Sequence, residues 1–410
     1  MRRVVITGMG AVTPLGCNVA SFWDGIITSR SGIRLIAHFD ASKFDVLFGG
    51  DCRDFDASAH FDVRNIKRMD RFTQLALVAA REAFAHSGLK GAAFEPTRAG
   101  VIVGAGIGGI KELEDQYKRL IEKGPSRVSA FTIPKLMANA CAGHISIDLG
   151  LQAVNTTVAT ACASAGNAIG DAFNTIRYDD ADIMVTGGTE AALTELGLAA
   201  FAAMKALSTR NDAPDKASRP FDKDRDGFVL SEGAGCIVLE EYEHAKKRGA
   251  KIYAELLGCA ATADADDMVQ PNPEGRGASR AMVAALRCAK INPDGVDYIS
   301  AHGTSTPLGD VAETTAIKNV FGAHARKLAI SSIKGAVGHT LGASGGLAVV
   351  TTLMGMQSNT IPPTLNLDQP DAACDLDYVP RTPRDGRLST ALINSFGFGG
   401  HNACVVIRKV

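Results

Sequence analysis

Cys162 stands in Thr160-Ala-Cys162-Ala-Ser164-Ala-Gly166, between a β-branched run and a segment of small residues. A thiol at a strand-to-helix turn meets the free N–H groups and positive end of the helix. Both favour the thiolate and can lower its pKa to roughly 3.5–7.5. The same N–H groups can hold a developing oxyanion, so the pattern suits a nucleophile that attacks a carbonyl. A lone cysteine is more often a small buried hydrophobe, and its position alone does not decide. Two histidines add weight. His302 lies in Ala301-His302-Gly303-Thr304-Ser305-Thr306-Pro307, and His339 closes Lys334-Gly-Ala-Val-Gly338-His339. Imidazoles exchange protons near neutral pH, so one cysteine and two histidines at such turns predict a joint site. The run Asn394-Ser395-Phe396-Gly397-Phe398-Gly399-Gly400 adds a turn whose glycines let a backbone N–H approach a ligand, as a second oxyanion donor requires.

Three further motifs fail in their context. Gly104-Ala-Gly106-Ile-Gly108-Gly109 satisfies G-x-G-x-x-G, but a charged helical stretch, 111–123, fills the place of the strand that a dinucleotide site needs next. It reads as close backbone packing or a pocket wall. Gly342-Ala-Ser344-Gly-Gly346 fits a nucleophile elbow, yet 335–339 separates it from any apolar strand. Asp222-Lys-Asp224-Arg-Asp226-Gly227 opens like a calcium loop but has Gly233 where the bidentate acid belongs. No cysteine or histidine spacing suggests a metal site.

The elements that must position Cys162, His302 and His339 follow from short β-branched runs alternating with Ala-rich segments, the pattern of a buried sheet with crossover helices. Strands are predicted at 3–7, 100–103, 156–160, 183–186, 235–239, 298–301, 328–331 and 403–407. Helices are predicted at 71–86, 163–177, 241–248, 276–288, 310–320 and 345–356. The strands are apolar without alternation, which predicts burial on both faces and a layered α/β/α core. A duplication is visible: a strand leads to Cys162 and an Ala/Gly-rich helix, and a second strand leads through Lys334 to His339 and another. This places Cys162 and His339 at corresponding turns across a pseudo-twofold, in halves 1–249 and 250–410.

A net charge of −1 gives no global field for nucleic acid. Nine cysteines without a C-x-x-C pair, in a chain of 410 residues with ample core, suit a reducing cytoplasm. No stretch approaches the ~20 apolar residues of a membrane span.

Taken together, these residues resemble the signature set of β-ketoacyl-acyl-carrier-protein synthases, most closely the chain-elongating type II enzymes. The similarity runs from Val-Val-Ile-Thr-Gly8 to Gly-Gly-His401-Asn, through the Cys162, His302, Lys334–His339 and Phe398 motifs in the family's order. It implies a thiolase-like α/β fold of duplicated α/β/α halves forming a five-layered α/β/α/β/α core, and a homodimer. It implies an acyltransferase that joins acyl and malonyl thioesters in fatty-acid synthesis, with Cys162 acylated from an acyl carrier protein. His302 and His339 would assist malonyl decarboxylation, Lys334 would support them, and the N–H groups of Cys162 and Phe398 would form an oxyanion hole. Thr304 and Thr306 would hold the pantetheine arm, which the carrier delivers, so no separate cofactor is implied. Phe398 would gate the acyl tunnel and Ile107 and Phe201 would line it. Arg64, Lys67 and Arg68, extended by Lys205, match the family's docking surface for the acidic carrier.

Two positions depart from the pattern. The family usually has a glutamate, paired with the lysine, where this chain has Ala348, so Lys334 must find another anion, reach solvent or shift its pKa. His401 stands where threonine is more frequent. The departures leave room for a specialised ketosynthase of a polyketide or signal-lipid pathway. A chain-length-factor-like subunit without catalysis is opposed by the retention of Cys162. A degradative thiolase would need a second cysteine near the C-terminus, and Cys404 falls inside a predicted strand.

Overall fold

Ten strands build the frame of the protein, seen in a computed structural model that describes all 410 residues. The first five are β1 (Val4–Val12), β2 (Ala99–Gly104), β3 (Asn155–Val158), β4 (Ile183–Glu190) and β5 (Gly233–Glu241). The second five are β6 (Ala254–Ala263), β7 (Tyr298–Ser300), β8 (Ala329–Ser331), β9 (Thr390–Gly397) and β10 (His401–Lys409). They form one sheet in the order β8-β7-β9-β10-β6-β1-β5-β4-β2-β3.

The order is a repeat read outward from its middle. β2 runs parallel to β3 and β4, β4 antiparallel to β5, and β5 antiparallel to β1. In the second half β7 runs parallel to β8 and β9, β9 antiparallel to β10, and β10 antiparallel to β6. Within the sheet, the halves join where Val4–Ile6 of β1 meets Ala254–Leu256 of β6.

Seven helices matter for the site: α1 (Arg71–His86), α2 (Ile110–Lys123), α3 (Ser164–Arg177), α4 (Glu195–Ala203), α5 (Arg276–Ala289), α6 (Pro307–Phe321) and α7 (Ser344–Ser358). α1 packs on β1, β4 and β5, while α5 covers β6, β9 and β10 and packs against α6. Between the halves lie α3 and α7, touching each other and strands of both. The result is the expected five-layered α/β/α/β/α arrangement. Small residues make the middle layer possible: a Cβ on Gly346 would lie 2.1 Å from the Gly235 carbonyl oxygen, and one on Gly345 would lie 3.0 Å from Gly166 N. α7 is buried continuously from Ser344 to Leu353, as an all-round apolar helix must be.

Three expectations change. β6 and β9 are strands that local sequence did not signal; β6 is Ala-rich, and its extended form comes from pairing with β1 and β10 on its two sides. β3 is not buried on both faces: it ends the sheet, and Asn155 and Thr156 are exposed. The duplication holds, but its register is shifted. The turn before α3 is Ala161-Cys162-Ala163 and that before α7 is Leu341-Gly342-Ala343, each a single 3₁₀ turn. Ala161 (φ 50°) and Leu341 (φ 46°) are both left-handed, a costly conformation for residues with a Cβ. Cys162 therefore corresponds to Gly342, and His339 lies three residues before that second elbow.

Candidate active site

Ser164 fixes the Cys162 elbow. Its Oγ accepts the Thr160 N–H (2.9 Å) and donates to the Ala161 carbonyl (2.6 Å), so the strained turn is tied at both ends. Cys162 is 7% exposed and lines a cavity of about 390 Å³ with His302, His339, Phe398, Thr304 and Thr306. Residues from both halves thus converge on one space.

His339 Nε2 lies 3.0 Å from Cys162 Sγ, and its Nδ1 lies 3.1 Å from Ser344 Oγ. The His302 and His339 rings meet edge to face at 5.4 Å. Burial, and then the Lys334 ammonium, holds both imidazoles well below their ordinary pKa, so both are neutral. The His302 turn hangs from α6: Glu313 accepts the N–H of His302 (2.9 Å) and Gly303 (2.7 Å) and the Asn394 amide (2.9 Å). Asp310, one turn earlier, accepts the Ser305 N–H (3.2 Å).

The thiolate expected at Cys162 is not its resting form. Burial pushes the thiol up to about 12, against the pull of Lys334 and of the Cys162 and Phe398 N–H groups. A helix N-terminus contributes at most about 2 kcal/mol, roughly a 30-fold change in ionisation, which does not reverse that burial. The protein therefore holds a thiol beside polar groups that stabilise the anion as it forms. Those N–H groups belong to Cys162 itself and to the Phe398 turn, where Gly399 (φ 81°) and Gly400 (φ 70°) need left-handed backbone. A Cβ at Gly397 would lie 3.0 Å from Cys162 N, so only glycine lets this strand end come so near.

Lys334 is 5% exposed and resolves the question that Ala348 raises. Its Nζ donates to the His302 carbonyl (2.5 Å), and the largest effect on it is burial, which lowers its pKa to about 8 against the fields of Glu313, Cys162 and Asp310. Ala348 itself packs in the apolar core with Leu347 and Val349. The lysine thus answers the missing glutamate in two ways, a shifted pKa and the nearby carboxylate of Glu313.

Thr304 and Thr306 pair through their hydroxyls (3.0 Å) at the cavity wall, and exposed Lys205 lies at the same cavity. Phe201, on α4, does not line it; its ring packs on Phe228 (5.5 Å), which packs on His339 (5.2 Å), inside the apolar cluster that holds Cys162. Ile107 is 42% exposed and stands apart from the cavity. Arg64 and Lys67 are exposed around a short helix and Arg68 lies over the Phe131 ring (5.0 Å), all away from the cavity wall. No group of three or more histidine, cysteine or acidic side chains is arranged to hold a metal ion.

The Gly104–Gly109 stretch does form packed backbone: Glu190 accepts the N–H of Gly106 (2.7 Å), Ile107 (3.1 Å) and Gly108 (3.2 Å), and also that of Gly342 (3.2 Å). Glu190, Asp310, Glu313 and Ser344 were not singled out from sequence for such roles. The i, i+3 spacing of Asp310 and Glu313 on one helix face was the available signal. Asp222 accepts from the Arg219 guanidinium (3.0 Å) and from the Asp368 N–H (2.8 Å). Cys404 is buried in β10 with its thiol on Asn394 Oδ1 (3.2 Å), leaving no second reactive cysteine there.

Comparison with known proteins agrees with this fold. The family model for the beta-ketoacyl synthase N-terminal domain matches residues 1–245, and that for the C-terminal domain matches 253–368. The 3-oxoacyl-[acyl-carrier-protein] synthase 2 of Synechocystis sp. is 50% identical, covering 100% of this chain and 98% of that protein. Its namesake from Coxiella burnetii is 48% identical, covering 100% and 99%. Among solved structures, a beta-ketoacyl synthase from Burkholderia phymatum superposes with a TM-score of 0.92 at 36% identity, covering 100% of both chains. A type II polyketide ketosynthase solved with its acyl-carrier protein gives 0.93 at 34%, covering 100% and 99%. With a thiol, two neutral imidazoles and paired N–H groups on a duplicated thiolase-like frame, the chain belongs to the beta-ketoacyl synthase family.

Proposed function

We propose that this chain is a 3-oxoacyl-[acyl-carrier-protein] synthase that elongates fatty acids. The observation that carries the reading is the meeting of Cys162 Sγ and His339 Nε2 at 3.0 Å, beside the N–H groups of Cys162 and Phe398. Cys162 attacks the acyl thioester, the C–S bond to pantetheine breaks, and the carrier thiol leaves with the cysteine's proton. Malonyl-carrier then loses CO2, and the electron pair of the broken C–C bond passes into an enolate. His302 and His339 hydrogen-bond the malonyl thioester oxygen that bears this charge. The enolate carbon attacks the Cys162 thioester, whose oxyanion the two N–H groups hold. The C–S bond to Cys162 breaks, and the thiolate takes a proton from solvent.

Thr304 and Thr306 suit the pantetheine arm because their hydroxyls sit on the cavity wall, and the arm makes any further cofactor unnecessary. The apolar cluster against which Phe201 packs suits an acyl chain, with Phe398 as its gate; a tunnel-lining role for Ile107, which lies outside that cluster, rests on the family resemblance alone. Arg64, Lys67, Arg68 and Lys205 offer positive charge to an acidic carrier, which steers a transient encounter. Exposed edge strand β3, with Ile147 81% and Val154 38% exposed nearby, supports a homodimer through that edge. No helix is long and apolar enough to cross a membrane, and all nine cysteines are unpaired, which fits a reducing cytoplasm.

The test is condensation of acyl-carrier with malonyl-carrier. Equal amounts of CO2 and 3-oxoacyl-carrier are expected, and no 3-oxoacyl-carrier from Cys162→Ala. Release of CO2 without condensed product would favour a chain-length-factor-like role that does not condense. Ala348 keeps a specialised ketosynthase as a second reading, distinguished by the acyl chains that the protein accepts.

A further inference from the structure

Ser164 and Ser344 open α3 and α7 at equivalent places, yet their hydroxyls do different work. Ser164 ties its own turn. Ser344 Oγ, 5% exposed and outside the cavity wall, lies 3.1 Å from His339 Nδ1 and 3.2 Å from Thr340 Oγ1. The other imidazole has no such support: His302 Nδ1 is buried without a hydrogen-bond partner.

A neutral imidazole carries one ring proton, and the group facing one nitrogen decides what the other can do. A hydroxyl on Nδ1 can donate or accept. Thr340 supplies a second hydroxyl in line, so Thr340 O–H can donate to Ser344 Oγ and free the Ser344 proton for the ring.

We propose that Ser344 is a positioning residue for the condensation chemistry: its O–H donates to His339 Nδ1 and so fixes the ring proton on Nε2, 3.0 Å from Cys162 Sγ. In that tautomer Nε2–H donates to the malonyl thioester oxygen and the enolate; in the other a lone pair faces the developing charge. The inference rests on the reaction proposed above and adds the residue that selects the form of His339 the reaction needs.

The test separates the two half-reactions. In Ser344→Ala, decarboxylation of malonyl-carrier is expected to fall about tenfold, in keeping with the loss of one buried hydrogen bond. Acyl transfer to Cys162 should stay within about twofold, because the paired N–H groups hold that oxyanion. Ser344→Thr keeps the hydroxyl and should restore decarboxylation to within about threefold. An equal fall in both half-reactions, or no fall in decarboxylation, would overturn the proposal. Should the variants fail to fold, ¹⁵N shifts of the wild-type histidines, with His339 assigned by His339→Asn, decide directly: protonated Nε2 is expected and protonated Nδ1 contradicts it. Wild-type protein that neither acylates nor decarboxylates would instead defeat the proposed function.

Discussion

The two elbows share a backbone and differ in what their N–H groups hold. Behind Cys162, β9 ends in Gly397, and the N–H groups of Cys162 and Phe398 face the sulfur without an anion from the protein. Behind Gly342, β4 ends at the equivalent place in Glu190, whose carboxylate takes the N–H of Gly342 together with those of Gly106, Ile107 and Gly108. Burial pushes Glu190 up to about 7, opposed by those four N–H groups, so the protein accepts a costly buried acid at this point. One elbow keeps its anion site open for a substrate oxyanion. The other fills the same site internally and serves as a strut between the halves.

The largest effect that sharpens this contrast is at the open elbow. Cys162→Ala should lower condensation by at least about a thousandfold while the melting temperature stays within about 2 °C, since only the nucleophile is lost. Gly342→Ala should do the reverse. Its Cβ would lie 2.6 Å from Gly106 N and 2.8 Å from Glu190 Oε2, with backbone on one side and a fixed carboxylate on the other. A loss of about 3 kcal/mol in stability is expected from denaturant titration. Unchanged stability would show that the second elbow is not the strut described.

Glu190→Gln sharpens the contrast further by placing an NH₂ against N–H donors. A loss of about 2 kcal/mol is expected, with faster amide exchange at Gly106–Gly108 and no change at Gly397–Phe398. Equal change at both elbows would dissolve the distinction.

The smallest effect concerns charge. Alkylation of Cys162 should keep rising with pH between about 7 and 10, because burial pushes its thiol up to about 12. Lys334, lowered by burial to about 8, is charged below that pH and helps the thiolate only there. Lys334→Met should therefore react roughly fivefold more slowly near pH 7, the worth of about 1 kcal/mol, and converge with wild type near pH 10. The sign for stability follows: the folded lysine gives up its proton before the unfolded one, so this group adds stability as pH rises above about 8.

Much of this was legible in the chain. Cys162, His302, His339 and the Phe398 turn are marked by residue types that serve little structural purpose at strand ends. β6 and β9 were hidden because their extended form comes from neighbours on both sides. The register is hidden because chemistry pairs Cys162 with His339, whereas the backbone repeat is Ala161-Cys162-Ala163-Ser164 against Leu341-Gly342-Ala343-Ser344. The thiol pKa is hidden for a similar reason: the helix end is visible in sequence, but the burial that outweighs it is not.

The central claim is that Cys162 at the open elbow carries the acyl group. Intact-mass measurement and peptide mapping after mixing the protein with acyl-carriers test it most directly. One acyl group on Cys162, discharged as 3-oxoacyl product when malonyl-carrier is added, is the expected result. No adduct with any acyl-carrier, or an adduct on another residue, would contradict it.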